Sequence, residues 1–255
     1  MLDYVQQKFT MTIKITAMNT NRQNQEIILK GYQSDVLIPN LFSLTNISRS
    51  SVTQTFNESI EITTRVAKRT FDILFSAFAM ILGLPVFLTV MAITKLTSKG
   101  PVFYKQERIG KNGTPFYIYK FRSMIVDSEV NGPQLTTDND PRITPWGNFM
   151  RKTHLDEIPQ FWNVFVGDMS VVGPRPERAH FIQQIVAKAP AYTQLLTIRP
   201  GITSIGQVNY GYAETVEEMC QRMVLDLKYL QQVNLLTDLK IIGETVMTMI
   251  KKKGK

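Results

Sequence analysis

The sequence predicts an α/β protein, mostly helical with a small β-hairpin, seated on a membrane by a helix that dips in and returns. Three observations carry that expectation. A long charge-free run from Ile73 to Thr94 is interrupted by Pro85. Two β-rich runs flank the turn Gly110-Lys111-Asn112-Gly113. Several later segments repeat apolar residues at helical spacing.

The chain is 44% hydrophobic and 20% charged, the balance of a globular protein rather than a disordered one. Its net charge of +8 points to an anionic partner: nucleic acid, an acidic membrane surface or a phosphorylated substrate. Cys220 is the only cysteine, which excludes an internal disulfide or a thiolate metal cluster and fits a reducing compartment. The opening residues lack a basic stretch followed by an apolar core, so no signal peptide is expected. Residues 1–64 are polar and rich in Thr, Ser, Asn and Gln; they form an N-terminal extension of uncertain order with no readable chemistry.

The next segment, 65–99, is long enough to span a bilayer. Pro85 removes a backbone donor in its middle and kinks or breaks a helix there. Basic residues flank it on both sides: Arg65, Lys68 and Arg69 before, Lys95 and Lys99 after. Positive flanks favour the cytoplasm, so both ends are drawn to the same side. A helix-break-helix satisfies both observations; a Pro-kinked span and a buried soluble helix are the alternatives.

Residues 100–255 form the remaining domain. In "PVFYKQERIGKNGTPFYIYKFRSM" the Asn-Gly pair marks a hairpin turn. Lys120 and Arg122, two apart on the second strand, face the same way and could hold phosphates or merely line a solvated edge. A Pro- and Gly-punctuated loop follows. A helix is expected from about Asp156, with Pro159 in its first turn and Ile158, Phe161, Trp162, Phe165 and Val166 as one apolar stripe. Another covers "PERAHFIQQIVAKA". Thr215 and Glu218 form a capping box ahead of a buried stripe of Val216, Cys220, Met223, Leu227 and Leu230. The last helix places Leu239, Ile242, Val246, Met249 and Ile250 on one side and ends in Lys251, Lys252, Lys253 and Lys255, which suit the helix dipole and anionic lipid.

The stretch "RKTHLDEIPQFWNVFVGDMSVVGPRPE" holds the candidate chemistry. Carboxylates and phosphates are both stabilised at a helix N-terminus. Asp156 and Glu157 are consecutive and diverge by about 100° on a helix, which suits a division of labour. One carboxylate would attack or bind substrate, and the other would hold a hard divalent cation such as Mg²⁺. Arg151 precedes the pair, and Arg175 is stiffened between Pro174 and Pro176, ready for a phosphate. The same residues would also serve as a helix cap and a structural turn. His154 and His180 are too few for a histidine metal site, and His154 reads best as a solvated or capping residue. Asp138-Asn139-Asp140 matches a loose metal-binding pattern of nucleotide-sugar glycosyltransferases, though a turn is the better reading. Phosphate-loop, dinucleotide, nucleophile-elbow and zinc-protease signatures do not occur.

The segments "KRTFD", "FYKQERIGKNGTPFYIYKFRSM", "NDPRITPWGNFMRKTHLDEIPQFWNVFVGDMSVVGPRPE" and "RPGITSIGQVNYGYA" resemble, in this order, the bacterial sugar transferases, which are monotopic phosphoglycosyl transferases. The resemblance implies a cytoplasmic catalytic domain on the inner leaflet of a bacterial inner membrane. It implies transfer of a sugar 1-phosphate from a nucleoside diphosphate sugar, usually a UDP-sugar, to polyprenyl phosphate. Asp156 would be the nucleophile, Glu157 the Mg²⁺ ligand, and Arg151, Arg175, Lys120 and Arg122 the phosphate holders. Pro85 would break the re-entrant helix, with Lys68, Arg69 and Asp72 where it meets the cytoplasm. The anionic partner is then the membrane and the substrates, not nucleic acid, and a homodimer is compatible.

Three departures stand out. His154 occupies a position that is often Ser, "YGYA" (Tyr210 to Ala213) stands where many members have Gly-Arg-Asn, and residues 1–64 lack the membrane spans of larger relatives. Two rival functions are a glycosyltransferase that holds its metal with Asp138 and Asp140 and releases UDP, and a non-enzymatic membrane adaptor.

Overall fold

Helix α1 (Ile62–Thr97) runs for 36 residues, about 54 Å at 1.5 Å per residue. The computed structural model describes residues 62–251 apart from 131, 138 and 139. Residues 1–61 of the N-terminal extension, Asp138 and Lys252, Lys253 and Lys255 lie outside these residues, and the last three residues assigned to the extension open α1. Helix α1 continues through Pro85 without a change of element. It is long and apolar enough to cross a membrane, yet little of it is buried, and Leu74, Phe78, Ile81 and Leu82 stand exposed.

Both ends of α1 grip the rest of the protein. Near its start, the buried Asp72 accepts hydrogen bonds from Ser170 Oγ at 3.0 Å and the Val171 N–H at 2.9 Å. Lys68 donates to the Val172 carbonyl and pairs with Asp238. Near its other end, Val90 packs with Phe121 and Met150, and Thr94 Oγ1 accepts from the Trp146 indole at 3.0 Å.

The hairpin forms as the sequence predicts. Strands β1 (Phe103–Ile109) and β2 (Pro115–Phe121) are antiparallel, with Phe103 opposite Phe121. Asn112 takes the left-handed conformation in the turn, which asparagine tolerates. Helix α2 (Pro145–Thr153) starts from a Thr144 cap with Pro145 in its first turn. Gly147 lets it lie against the end of β2, because a Cβ there would fall 1.8 Å from the Ser123 carbonyl oxygen.

Helix α3 (Gln160–Val166) starts later than expected. Residues Leu155–Glu157 form a separate 3₁₀ turn instead, because His154 closes α2 in a left-handed conformation and Pro159 has no N–H to continue the ladder. The Arg69 guanidinium caps the far end of α3, donating to the Val164 and Phe165 carbonyls at 2.7 and 2.9 Å.

A second sheet escaped the sequence reading. Strands β3 (Ser170–Val172) and β4 (Gly201–Thr203) are parallel, joined through helix α4 (Ala179–Lys188) and a 3₁₀ segment (Pro190–Thr197). Each strand is only three residues long, too short to show an alternating pattern. Helices α5 (Ile205–Asn209), α6 (Val216–Leu230) and α7 (Leu235–Ile250) complete the described chain. The core joins Ile118, Val164, Met169, Val172, Tyr229 and Ile241.

The three predicted stripes differ in what they face. In α6 Cys220, Met223 and Leu230 are buried as expected, but Val216 and Leu227 are half-buried, and Met219, Arg222, Asp226 and Tyr229 take the inner face. Most of the apolar sides of α3 and α7 turns outward, with Trp162, Phe165, Val166, Leu239, Val246, Met249 and Ile250 exposed, while Ile158 and Ile242 pack against the core. Asn163 and Asp238 point inward, because the first bonds the β2 backbone and the second binds Lys68 and Tyr229.

Candidate active site

The 3₁₀ turn explains how two adjacent carboxylates divide. Three residues per turn set neighbours about 120° apart. Asp156 faces a cleft of about 550 Å³ that Lys120, Arg122, Arg151, Arg175 and Tyr212 also line. Glu157 stands behind this lining. Its Oε1 accepts from Lys120 Nζ at 2.5 Å and lies 3.5 Å from Arg175 Nη2.

Three elements deliver the cations. Lys120 comes from β2, and Arg151 from the last turn of α2. Arg175 follows β3 on the turn Gly173-Pro174-Arg175-Pro176. That turn lies against β4 so closely that a Cβ on Gly173 would meet the Arg199 carbonyl at 2.5 Å, and one on Gly201 would meet the Gly173 nitrogen at 2.1 Å. Arg151 makes no ion pair among the described residues, which leaves its fork for a ligand.

The surroundings push the two carboxyls apart. Burial raises Asp156 to about 6, against the pull of Lys120 and Arg151. Burial would also raise Glu157, but Lys120 and Arg175 outweigh it and hold this carboxyl well below the usual range. Burial lowers the Lys120 ammonium against the opposing pull of Glu157. A carboxylate with a raised pKa in a cleft, backed by one locked in an ion pair, is the pattern of a functional site. Asp156 is the group with a free approach from the cleft.

The remaining expectations sort clearly. His154 closes α2 and is held below its ordinary pKa by burial, so it is neutral at pH 7. Asp140 is committed to Arg142, which donates to both of its oxygens at 2.9 and 2.6 Å, while Asp138 lies outside the described residues. Arg122 lines the cleft but binds Ser98 rather than the dyad.

Sequence reasoning missed two features. Tyr212 borders the cleft, and burial together with Glu157 pushes its hydroxyl up to about 12. Glu177 is gripped by Arg108 and Arg222 at 3.4 and 2.5 Å. The only signal for Tyr212 was its place in the departing "YGYA" stretch.

Residues 63–252 match the family model described as bacterial sugar transferase. A UDP-N-acetylgalactosamine-undecaprenyl-phosphate N-acetylgalactosaminephosphotransferase of Aeromonas hydrophila is 40% identical over 72% of this chain and 43% of its own length. A UDP-glucose:undecaprenyl-phosphate glucose-1-phosphate transferase of Klebsiella pneumoniae is 39% identical over 84% of this chain and 48% of its own. The chain thus spans about half the length of these curated relatives. The exopolysaccharide production protein PSS of Rhizobium leguminosarum bv. phaseoli is matched over 98% of its length, at 39% identity over 74% of this chain. With its model matched across most of the sequence, the chain belongs to the bacterial sugar transferase family.

Proposed function

We propose that this protein transfers a sugar 1-phosphate from a nucleoside diphosphate sugar, a UDP-sugar in the first instance, to polyprenyl phosphate, as the initiating step of a bacterial glycan or polysaccharide. The observation that carries the reading is Asp156 facing a cation-lined cleft while Glu157 is tied behind it to Lys120 and Arg175. The relatives' names supply the substrate classes, and they differ in the sugar, glucose in one and N-acetylgalactosamine in another.

An Asp156 oxygen attacks the sugar-linked phosphorus. The bond to the bridging oxygen breaks, and UMP leaves with that oxygen. A phosphosugar-aspartyl ester remains. An oxygen of polyprenyl phosphate then attacks the same phosphorus, breaking the ester and regenerating the carboxylate. Arg151 and Arg175 hold the diphosphate and offset the charge that gathers as UMP leaves. Lys120 keeps Glu157 ionised and adds positive charge at the cleft wall.

The donor set suits Mg²⁺, which takes one or two carboxylates and completes its shell with phosphates and water. Lys120 and Arg175 both sit on Glu157 Oε1, so Oε2 is the oxygen that would serve the ion. When bound, Mg²⁺ would neutralise diphosphate charge.

Helix α1 would enter and leave one leaflet, with the domain on the cytoplasmic face of the inner membrane. Asp72 and Thr94 are 22 residues apart, about 33 Å of straight helix, close to the hydrocarbon thickness of a bilayer. Yet both are bound by the same folded body. Single cysteines at Ala67 and Lys99, in a Cys220→Ala background, should be labelled from the same side of sealed vesicles; labelling from opposite sides would refute re-entry.

Nucleotide release tests the chemistry. Purified protein with Mg²⁺, undecaprenyl phosphate and a panel of UDP-sugars should release UMP, and Asp156→Asn should not. UDP instead of UMP would transfer the case to the glycosyltransferase reading. Silence across the panel would favour the membrane adaptor.

A further inference from the structure

Five cations that line the cleft have no part in the mechanism above, Arg108, Arg122, Arg142, Arg178 and Arg222, and all but Arg122 are paired with a carboxylate among the described residues. Arg122 is only 6% exposed, and it follows Phe121, the last residue of β2. One of its terminal nitrogens, Nη2, donates to the Ser98 carbonyl and hydroxyl, both at 2.8 Å. Its Nε and Nη1 are buried with no hydrogen-bond partner. Burial depresses its basicity, and no carboxylate counters that effect. An always-charged guanidinium with two orphaned donors is expensive to bury, and natural structures rarely leave such a group unmatched. It therefore points to an anion that completes it.

Its position separates this anion from the donor diphosphate. Residues two apart on a strand are about 6.6–6.8 Å apart, so Arg122 lies one such step beyond Lys120 along the hairpin. Its backbone N–H bonds the Val102 carbonyl, and its head rests against Gly100, just past the end of α1. An apolar groove of about 400 Å³ runs between α1 and the hairpin, lined by Met80, Gly83, Phe87 and Trp162, and it shares Phe103 with the polar cleft. Phe103 pairs with Phe121, the immediate neighbour of Arg122. The guanidinium thus lines the polar cleft next to Phe121, whose cross-strand partner Phe103 borders both the cleft and the apolar groove.

We propose that Arg122 is a second phosphate station, reserved for the phosphomonoester of the membrane-borne acceptor, while Arg151, Arg175 and Lys120 serve the nucleotide sugar. The inference rests on the transfer reaction proposed above.

The test separates the two half-reactions. With UDP-sugar and no acceptor, Arg122→Met should release the same single burst of UMP per enzyme as wild type. With undecaprenyl phosphate added, its KM for the acceptor should rise about tenfold or more, while its KM for UDP-sugar stays within about twofold. Arg122→Lys keeps the charge and should fall between the two; it decides the matter if the methionine variant does not fold. Equal losses in the burst and in acceptor turnover would overturn the assignment in favour of a structural or donor-side role, as would an unchanged acceptor KM. A wild type that turns over with acceptor yet shows no burst would defeat the aspartyl-ester step alone. The acceptor-to-donor KM ratio would then still judge Arg122.

Discussion

Exchanging Asp156 for Asn should abolish transfer and make the protein more stable, an unusual pair of effects for one substitution. The raised pKa gives the magnitude. Moving the carboxyl from 3.8 to about 6 means that its ionised form costs the fold about 3 kcal/mol at pH 7, at roughly 1.36 kcal/mol per pKa unit. The sign follows from linkage: between those two values the folded state binds more protons than the unfolded state, so stability falls as pH rises through that window. Above it the cost is complete, and the neutral amide removes it. For a domain of this size, 1 kcal/mol corresponds to roughly 2–4 °C in Tm, so an increase of about 6–12 °C is the upper expectation. Glu157→Gln should act in the opposite direction. Its depressed carboxyl stabilises the fold above the unfolded pKa, and removing the charge strands Lys120 and Arg175, a loss of about 3–5 kcal/mol. Thermal unfolding in one detergent at pH 7 and at pH 4.5 reads both effects. An Asp156→Asn protein that melts below wild type at pH 7, or whose gain fails to shrink on acidification, would refute the argument.

The same pKa places the acid limb of kcat/KM near pH 6, with activity rising as Asp156 ionises, and a pH profile of kcat/KM checks it. Gly201→Ala should cost about 2 kcal/mol or more and depress transfer, because its methyl collides with the Gly173 nitrogen that sets the Arg175 turn, whereas Gly243→Ala in α7 meets nothing and should gain a few tenths. Asp72→Ala strips the Ser170 hydroxyl and the Val171 N–H of their acceptor and should cost about 3 kcal/mol in thermal unfolding. In a Trp146→Phe background, brominated lipid should quench the exposed Trp162 strongly; unquenched fluorescence would take that face away from the membrane.

Local chemistry was legible wherever it was decided within a few residues. Asn112-Gly113 fixed a turn, Thr215 and Glu218 fixed a helix start, and the order of Arg151, Asp156, Glu157 and Arg175 marked one neighbourhood. The alternation of Lys120 and Arg122 placed both on the cleft, but their partners were invisible. Lys120 finds Glu157 and Arg122 finds Ser98, contacts made across 37 and 24 residues. The boundary of α3 was misplaced because its stripe and its proline both allow a start at Asp156. Only His154, closing α2 in a left-handed conformation, shows that the dyad belongs to a separate turn. The parallel β3–β4 pair was hidden for another reason: pairing between three-residue strands is set by the distant approach of Gly173 to Gly201.

The outward stripes of α3 and α7 show where the usual reading of hydrophobic period reverses. A period near 3.6 identifies a face that avoids water, and in a water-soluble protein that face is the core. Here the avoided solvent and the core are different sides of the same helix. Trp162, Phe165 and Val166 turn away from the core, while Asn163 turns in to bind the hairpin backbone. Asp238 likewise turns in to Lys68 and Tyr229, while Leu239, Val246 and Ile250 face out. Buried polar groups are retained where each finds a partner, and exposed apolar faces are retained where something apolar covers them. The exposed middle of α1 is the third such surface, on the helix whose two ends bind the same body. Under the proposed reaction, a bilayer interface that covers these surfaces would bring the acceptor's phosphate toward the cleft that Asp156 faces.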